Sequence, residues 1–346
     1  MVNMNKNSLN ERNSFFLLRN VLFFILIFPL FHPHLLAEEN SLQGPSFYKP
    51  DERMAIVRPE WKKQKIKYST KYKDADVVAV LDQHLYPLVD KLIEKFAEEE
   101  NLKIVIFKGT CGISAGMLNR KEVDIGGFCC PPAPTDRLPG LVFDTIGITP
   151  NAVIVNNANP ITNMSFRDVQ KIFAGEINRW DELSSIDAKS FKKPISVITR
   201  LHCKLRAGHW RRILDNENLF SLTRQEVASI PDMLARVAAL RGSIGFVARW
   251  KLDYNGWGEK VKSLQIDGIS PKDKNALAEG RYPFYKVLNL ARWTGIAENP
   301  YTEKLISYIK KNLTEDKKLK YLVTYDKLQK NGWRFYGDEL IGEPKK

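Results

Sequence analysis

Short apolar runs alternate with stretches of helical spacing through most of this chain. Between Asp76 and Asp82 the residues VVAVL form an unbroken run of strand length. Leu85, Leu88, Val89, Leu92, Ile93 and Phe96 then recur at the three- and four-residue steps of one helix face, predicting a helix over 85–99. A second run, IVIF between Lys103 and Lys108, leads through the turn Gly109-Thr110-Cys111-Gly112 into a helix through Met117 and Leu118. A third, IGGF between Asp124 and Cys129, completes a β-α-β-α-β order, that of a parallel sheet flanked by helices.

The pattern continues with the apolar strand that starts at Gly147. Ser165 caps a helix over Phe166–Phe173, and Gly175 stops it. Pro194–Thr199 reads as a strand, Leu205–Leu214 as a helix, Pro231–Leu240 as a helix and Gly245-Phe246-Val247 as a short strand. An amphipathic helix over Tyr301–Leu313 follows near the end. No internal repeat and no low-complexity segment interrupts this order. It fits two α/β lobes with the second inserted in the first: 74–147 and 245–346 as lobe one, 148–244 as lobe two.

The start of the chain is of another kind. Lys6, Arg12 and Arg19 precede an apolar run of about 11 residues, Val21–Phe31, and Ala37 stands before Glu38 and Glu39. That run is too short for a bilayer span of roughly 20 residues. The pattern predicts a cleaved secretory signal over residues 1–37, followed by an irregular lead-in over 38–73. No cysteine precedes Cys111, so no lipid-anchor cysteine is expected and a periplasmic location follows. The formal charge of +13 falls to about +11 without the first 37 residues, which carry three Lys/Arg and one Glu. Lysines are spread along the chain without a nucleic-acid motif, so a basic surface is expected rather than a nucleic-acid partner.

One segment carries a resemblance. Beginning at Asn151, AVIVNNANPITNMSFRDVQKIFAGEINRWDEL resembles the central segment of phosphate-type periplasmic substrate-binding proteins of ABC importers. Lys121-EVDIGGF, Arg241-GSIGFV and Gly280-RYPFYKVLNLAR resemble further pieces of that family, in its order, so that the resemblance runs from about Asp76 to about Trp333. It implies the type II binding-protein fold, two α/β lobes joined by two crossover strands, here near Gly147–Val155 and Gly242–Val247. It implies capture of a small anionic ligand such as phosphate, delivery to an ABC permease of the inner membrane, and a monomer that is neither an enzyme nor dependent on a cofactor. Phe173 and Trp180 of IFAGEINRW are expected in a core.

The resemblance places four loops at the cleft. They hold Asp82, Gln83 and His84; Thr110, Cys111 and Ser114; Cys129 beside Cys130; and Arg200, Lys204 and Arg206 around His202 and Cys203. Helix N-termini, hydroxyl groups and these cations would suit an anion. Yet the third loop has Cys129-Cys130-Pro131 where phosphate binders of the family place a carboxylate. The fourth has Lys204-Leu205-Arg206 where they have Ser-Gly-Thr.

Three readings of the cysteines stay open. In an oxidising compartment they predict disulfides, with Cys129 and Cys130 bridged to Cys111 and Cys203 rather than to each other. Alternatively His84, Cys111, Cys129, Cys130, His202 and Cys203 would form a zinc or copper site, or a thiol-redox sensor, in a reused binding-protein fold. A cleft holding only disulfides is the third. Gly112-Ile113-Ser114-Ala115-Gly116 also matches the G-x-S-x-G turn of serine hydrolases, but the last histidine, His209, lies far from the chain end. His209 itself is expected to pack on its own helix.

Overall fold

The computed structural model describes residues 42–50, 55–254, 256–313 and 319–345. The predicted signal over 1–37 lies outside these residues. β1 (Val77–Asp82), α1 (Tyr86–Glu99), β2 (Ile104–Gly109), α2 (Cys111–Asn119) and β3 (Ile125–Phe128) follow one another as the apolar runs require. β1 pairs in parallel with both β2 and β3, so all three strands run toward the same edge. Every residue of β1 is buried, which explains its lack of alternation: both faces of a parallel strand are covered.

Two long strands carry the chain from one core to another, the first where expected and the second at 285–293 rather than near Gly242–Val247, where Ile244 and Phe246 both stay in the second core. β4 (Leu141–Asn156) packs Ile146 in the first core and Ile148 in the second. Further along, after α3 (Phe166–Ala174), β5 (Ser196–Thr199), α4 (Ile230–Ala239) and β6 (Ser243–Ala248), β7 (Tyr285–Trp293) returns between Val287 and Leu288. The sheet order is β2-β1-β3-β7-β4-β6-β5, with β7 antiparallel to β3 and β4 and a register shift at Leu288/Asn289. α5 (Pro300–Asn312) closes the first core through Leu305, Ile306 and Ile309.

Gly147 sits at the crossing point, where a Cβ would meet the Val323 carbonyl oxygen at 2.3 Å. The obstructing atom is backbone, in the Val323–Thr324 segment that pairs with β4 here, and leaves little room to relax. Gly147→Ala is therefore expected to cost about 1–3 kcal/mol of stability, read as a lower denaturant midpoint at unchanged slope.

The details expected around α3 hold. Ser165 accepts from the Asp168 N–H, Gly175 takes φ +83°, and Phe173 and Trp180 are fully buried. The predicted helix over Leu205–Leu214 does not form. Gly208 and His209 have φ of +71° and +53°, and the segment keeps only the short 3-10 turn His209–Arg212. The lead-in binds both cores: Phe47 packs on the second and Trp61 on the first, with the Gly44 N–H donating to the Arg211 carbonyl.

Candidate functional site

Parallel strands that end at one edge deliver their following loops to one place, and here those loops carry the cysteines. β1 ends at Asp82, β2 leads into Cys111 at the start of α2, and β3 leads into Cys129 and Cys130. The loop after β5 brings Cys203 from the other core. All four Sγ atoms lie within 4.8 Å of one another. Cys111 Sγ is 3.4 Å from Cys129 Sγ, and Cys129 Sγ is 3.9 Å from Cys130 Sγ. None is joined to another: all four are free thiols, three of them buried. Thr110 caps α2 by accepting from the Ile113 N–H, and Asn289 donates to the Cys130 carbonyl, so both sulfur-bearing turns are anchored.

Against this cluster lies a second group. Lys286 on β7 is 1% exposed, and its Nζ stands 3.9 Å from Cys129 Sγ. His84 accepts its position from Asp82, whose Oδ1 takes the His84 N–H and faces its Nδ1 at 3.0 Å. His202 stacks on His84 at 6.3 Å between ring centres, and its Nε2 lies 3.3 Å from His209 Nε2. Arg200 donates to a His202 ring nitrogen at 3.0 Å and to the Ala228 carbonyl, and with its amide oxygen turned inward Gln83 accepts from Arg200 as well. Lys286, His84, His202, His209, Arg200 and Asn151 line a cavity of ≈ 20 Å³ beside the crossing strands. The Asn151 side chain is fully buried, and neither its Oδ1 nor its Nδ2 has a partner among the described residues.

These environments separate the protonation states. Hydrogen bonding from Cys111, then from Cys130 and Cys203, with the Lys286 charge nearby, holds the Cys129 thiol well below its ordinary value. The other three thiols are pushed up. Burial lowers His202, and lowers His209 further, so both rings are neutral near pH 7.

Not all residues expected at the cleft reach it. Ser114 turns into the first core, where its buried hydroxyl faces the Gly127 and Val80 carbonyls at 2.9 and 3.2 Å. A hydroxyl spent on two acceptors inside a helix is neither a ligand donor nor an elbow nucleophile. Lys204 points outward and pairs with Glu217. Thr110, with Cys203, Lys204 and Arg206, lines a separate open groove of ≈ 490 Å³. Arg206 is committed to Asp136 at 2.6 Å and to the Cys111 carbonyl at 3.3 Å. His209, expected to pack on its own helix, instead stands at the cavity because its segment is not helical. Lys286 and Asn151 were not singled out from sequence. Lys286 had a signal, a lone cation in the apolar run Tyr282–Leu290.

A family model described as the PBP superfamily domain matches residues 69–309. The chain belongs to this superfamily. Among curated members, the "Phosphate-binding protein PstS" of Bacillus subtilis (strain 168) is 28% identical over 206 residues, 58% of this chain and 64% of that protein. The "Phosphate-binding protein PstS 2" of Streptococcus pneumoniae serotype 4 is 27% identical over 126 residues, 36% of this chain and 43% of that protein. The chain thus spans less than two thirds of the length of these relatives. Among solved structures, an ABC-type phosphate transport receptor from Vibrio cholerae superposes with a TM-score of 0.56 at 18% identity, covering 72% of this chain and 99% of that one. A putative phosphate ABC transporter substrate-binding protein from Clostridium perfringens, with bound phosphate, gives 0.57 at 17% identity, covering 77% and 98%. The PBP-superfamily chain therefore has the type II binding-protein fold that the sequence implied.

Proposed function

We propose that this PBP-superfamily protein is an exported solute receptor that closes over a small oxyanion of the phosphate class and presents it to an ABC permease. The observation that carries the reading is Asn151: a fully buried amide with no partner on either polar atom among the described residues, lining a cavity with Lys286 and Arg200. A buried polar group left unpaired costs about 1–3 kcal/mol, and the Lys286 ammonium has three N–H donors to place, of which the Cys129 sulfur takes one. A protonated oxyanion meets both needs. Its oxygens accept from Lys286, Arg200 and Asn151 Nδ2, and its hydroxyl donates to Asn151 Oδ1. The names of the curated relatives support the same ligand class.

The cavity of ≈ 20 Å³ is small; that is room for about one water. Loading an oxyanion therefore requires the two cores to part, and the crossing strands β4 and β7 supply the hinge. The test is calorimetric titration of the reduced protein with phosphate and with sulfate. One equivalent of phosphate is expected to bind, and sulfate about 10- to 100-fold more weakly, because it has no proton to give the buried Asn151 oxygen. No binding of either anion, or equal binding of both, would refute the reading.

A further inference from the structure

The anion cavity leaves the four cysteines without a task, and their arrangement stands whether or not that cavity fills. We propose that Cys111, Cys129, Cys130 and Cys203 hold one zinc ion in a four-thiolate site that fastens the loop after β5 to the strand ends of the first core.

The geometry is that of a ligand set. Zinc–sulfur bonds of about 2.3 Å in a tetrahedron place the sulfurs about 3.8 Å apart. The separations of 3.4 and 3.9 Å at Cys129 lie on either side of that edge, and all four sulfurs fall within 4.8 Å of one another. Cys129 and Cys130 follow the end of β3, at Phe128, where the chain bends, so neighbouring side chains turn to one side instead of alternating. Cys203 reaches the other three from a left-handed backbone at φ +58°, a conformation that non-glycine residues adopt at a cost.

The surroundings suit the charge. Four thiolates around Zn2+ release their protons to solvent and leave a doubly negative centre. The Lys286 ammonium stands 3.9 Å from Cys129 Sγ, and the Cys129 N–H points at Cys111 Sγ at 3.3 Å. The Arg206 guanidinium donates to the Cys111 carbonyl. These donors outside the ligands orient and tune a metal. The Asp82 carboxylate, whose Oδ2 accepts from the Cys111 thiol at 3.6 Å, opposes the charge once Cys111 is a thiolate, and its Oδ1 is turned to the His84 N–H. Soft thiolates select zinc over calcium or magnesium, and a closed set of four leaves no open position for catalysis. The groove of ≈ 490 Å³ that Cys203 lines gives the ion a way in.

The experiment is metal analysis of the full chain, purified without chelator in a zinc-containing buffer and gel-filtered, with thiols counted before and after a chelator is added. One zinc per chain is expected, with the thiols unreactive until chelation exposes all four. Cobalt in place of zinc should give thiolate-to-metal charge-transfer absorption. Cys203→Ser, on a partly exposed loop, should lower zinc retention at least 10-fold at an unchanged circular dichroism spectrum, and Cys130→Ser should do the same. Freely reactive thiols with no retained metal would overturn the proposal. So would a thiol count of zero from two disulfides, or zinc retention untouched by both variants.

Discussion

Lys286→Met is expected to weaken phosphate binding by roughly 100-fold or more while hardly moving the melting temperature of the ligand-free protein. Lys286 is the most deeply buried cation at the cavity, 1% exposed on β7, and its ammonium has a sulfur rather than a carboxylate beside it. Removing one member of a buried, hydrogen-bonded charge pair costs about 2–5 kcal/mol of affinity. Stability should not follow. Methionine fills a similar unbranched volume on β7, so the packing beside the cavity is kept. The two readouts separate a ligand contact from a packing role. Phosphate should raise the melting temperature of the native chain by mass action and fail to do so in the variant. A variant that melts much lower and still binds phosphate would make Lys286 a structural residue.

Asp136→Ala should destabilise the protein by about 3–5 kcal/mol, since it leaves a buried guanidinium without its counter-charge. Arg206 comes from the loop after β5 and Asp136 from the turn after β3, and their 2.6 Å contact joins the two sides of the cleft. Both side chains are at least nine-tenths buried. Asp136 also accepts from the Ala133 N–H at 2.9 Å, so its loss frees that turn too. Asp136→Asn separates the two effects: it keeps an acceptor for Ala133 and removes the charge. Urea unfolding should place Asp136→Asn between wild type and Asp136→Ala. Equal stability of all three would mean that the pair contributes nothing net.

The sheet was legible because burial on both faces leaves an unmistakable trace. Strands such as Val77–Asp82 carry unbroken apolar runs, and the glycine at 175 ends its helix as a left-handed cap. The cleft loops were legible at the level of which loops meet, since the ends of parallel strands share an edge. The direction of each side chain was not. Ser114 sits in the same turn as Cys111, yet one helical step carries its hydroxyl into the core. The segment 205–214 has helical apolar spacing, but positive φ at Gly208 and His209 breaks it and swings His209 to the cavity. Asn151 and Lys286 come from strands that cross between cores, and only their pairing in β4 and β7 brings them together. An amide inside an apolar run looks like any other buried polar residue until its missing partners are seen.

The measurement that bears most directly on the account is a crystal structure of the reduced protein grown with phosphate. The account predicts a tetrahedral anion beside the crossing strands, within hydrogen-bond distance of Lys286 Nζ and both polar atoms of Asn151, with the cavity enlarged to hold it. An anion found only in the outer groove at Thr110 and Lys204, with Asn151 still unpartnered, would contradict it.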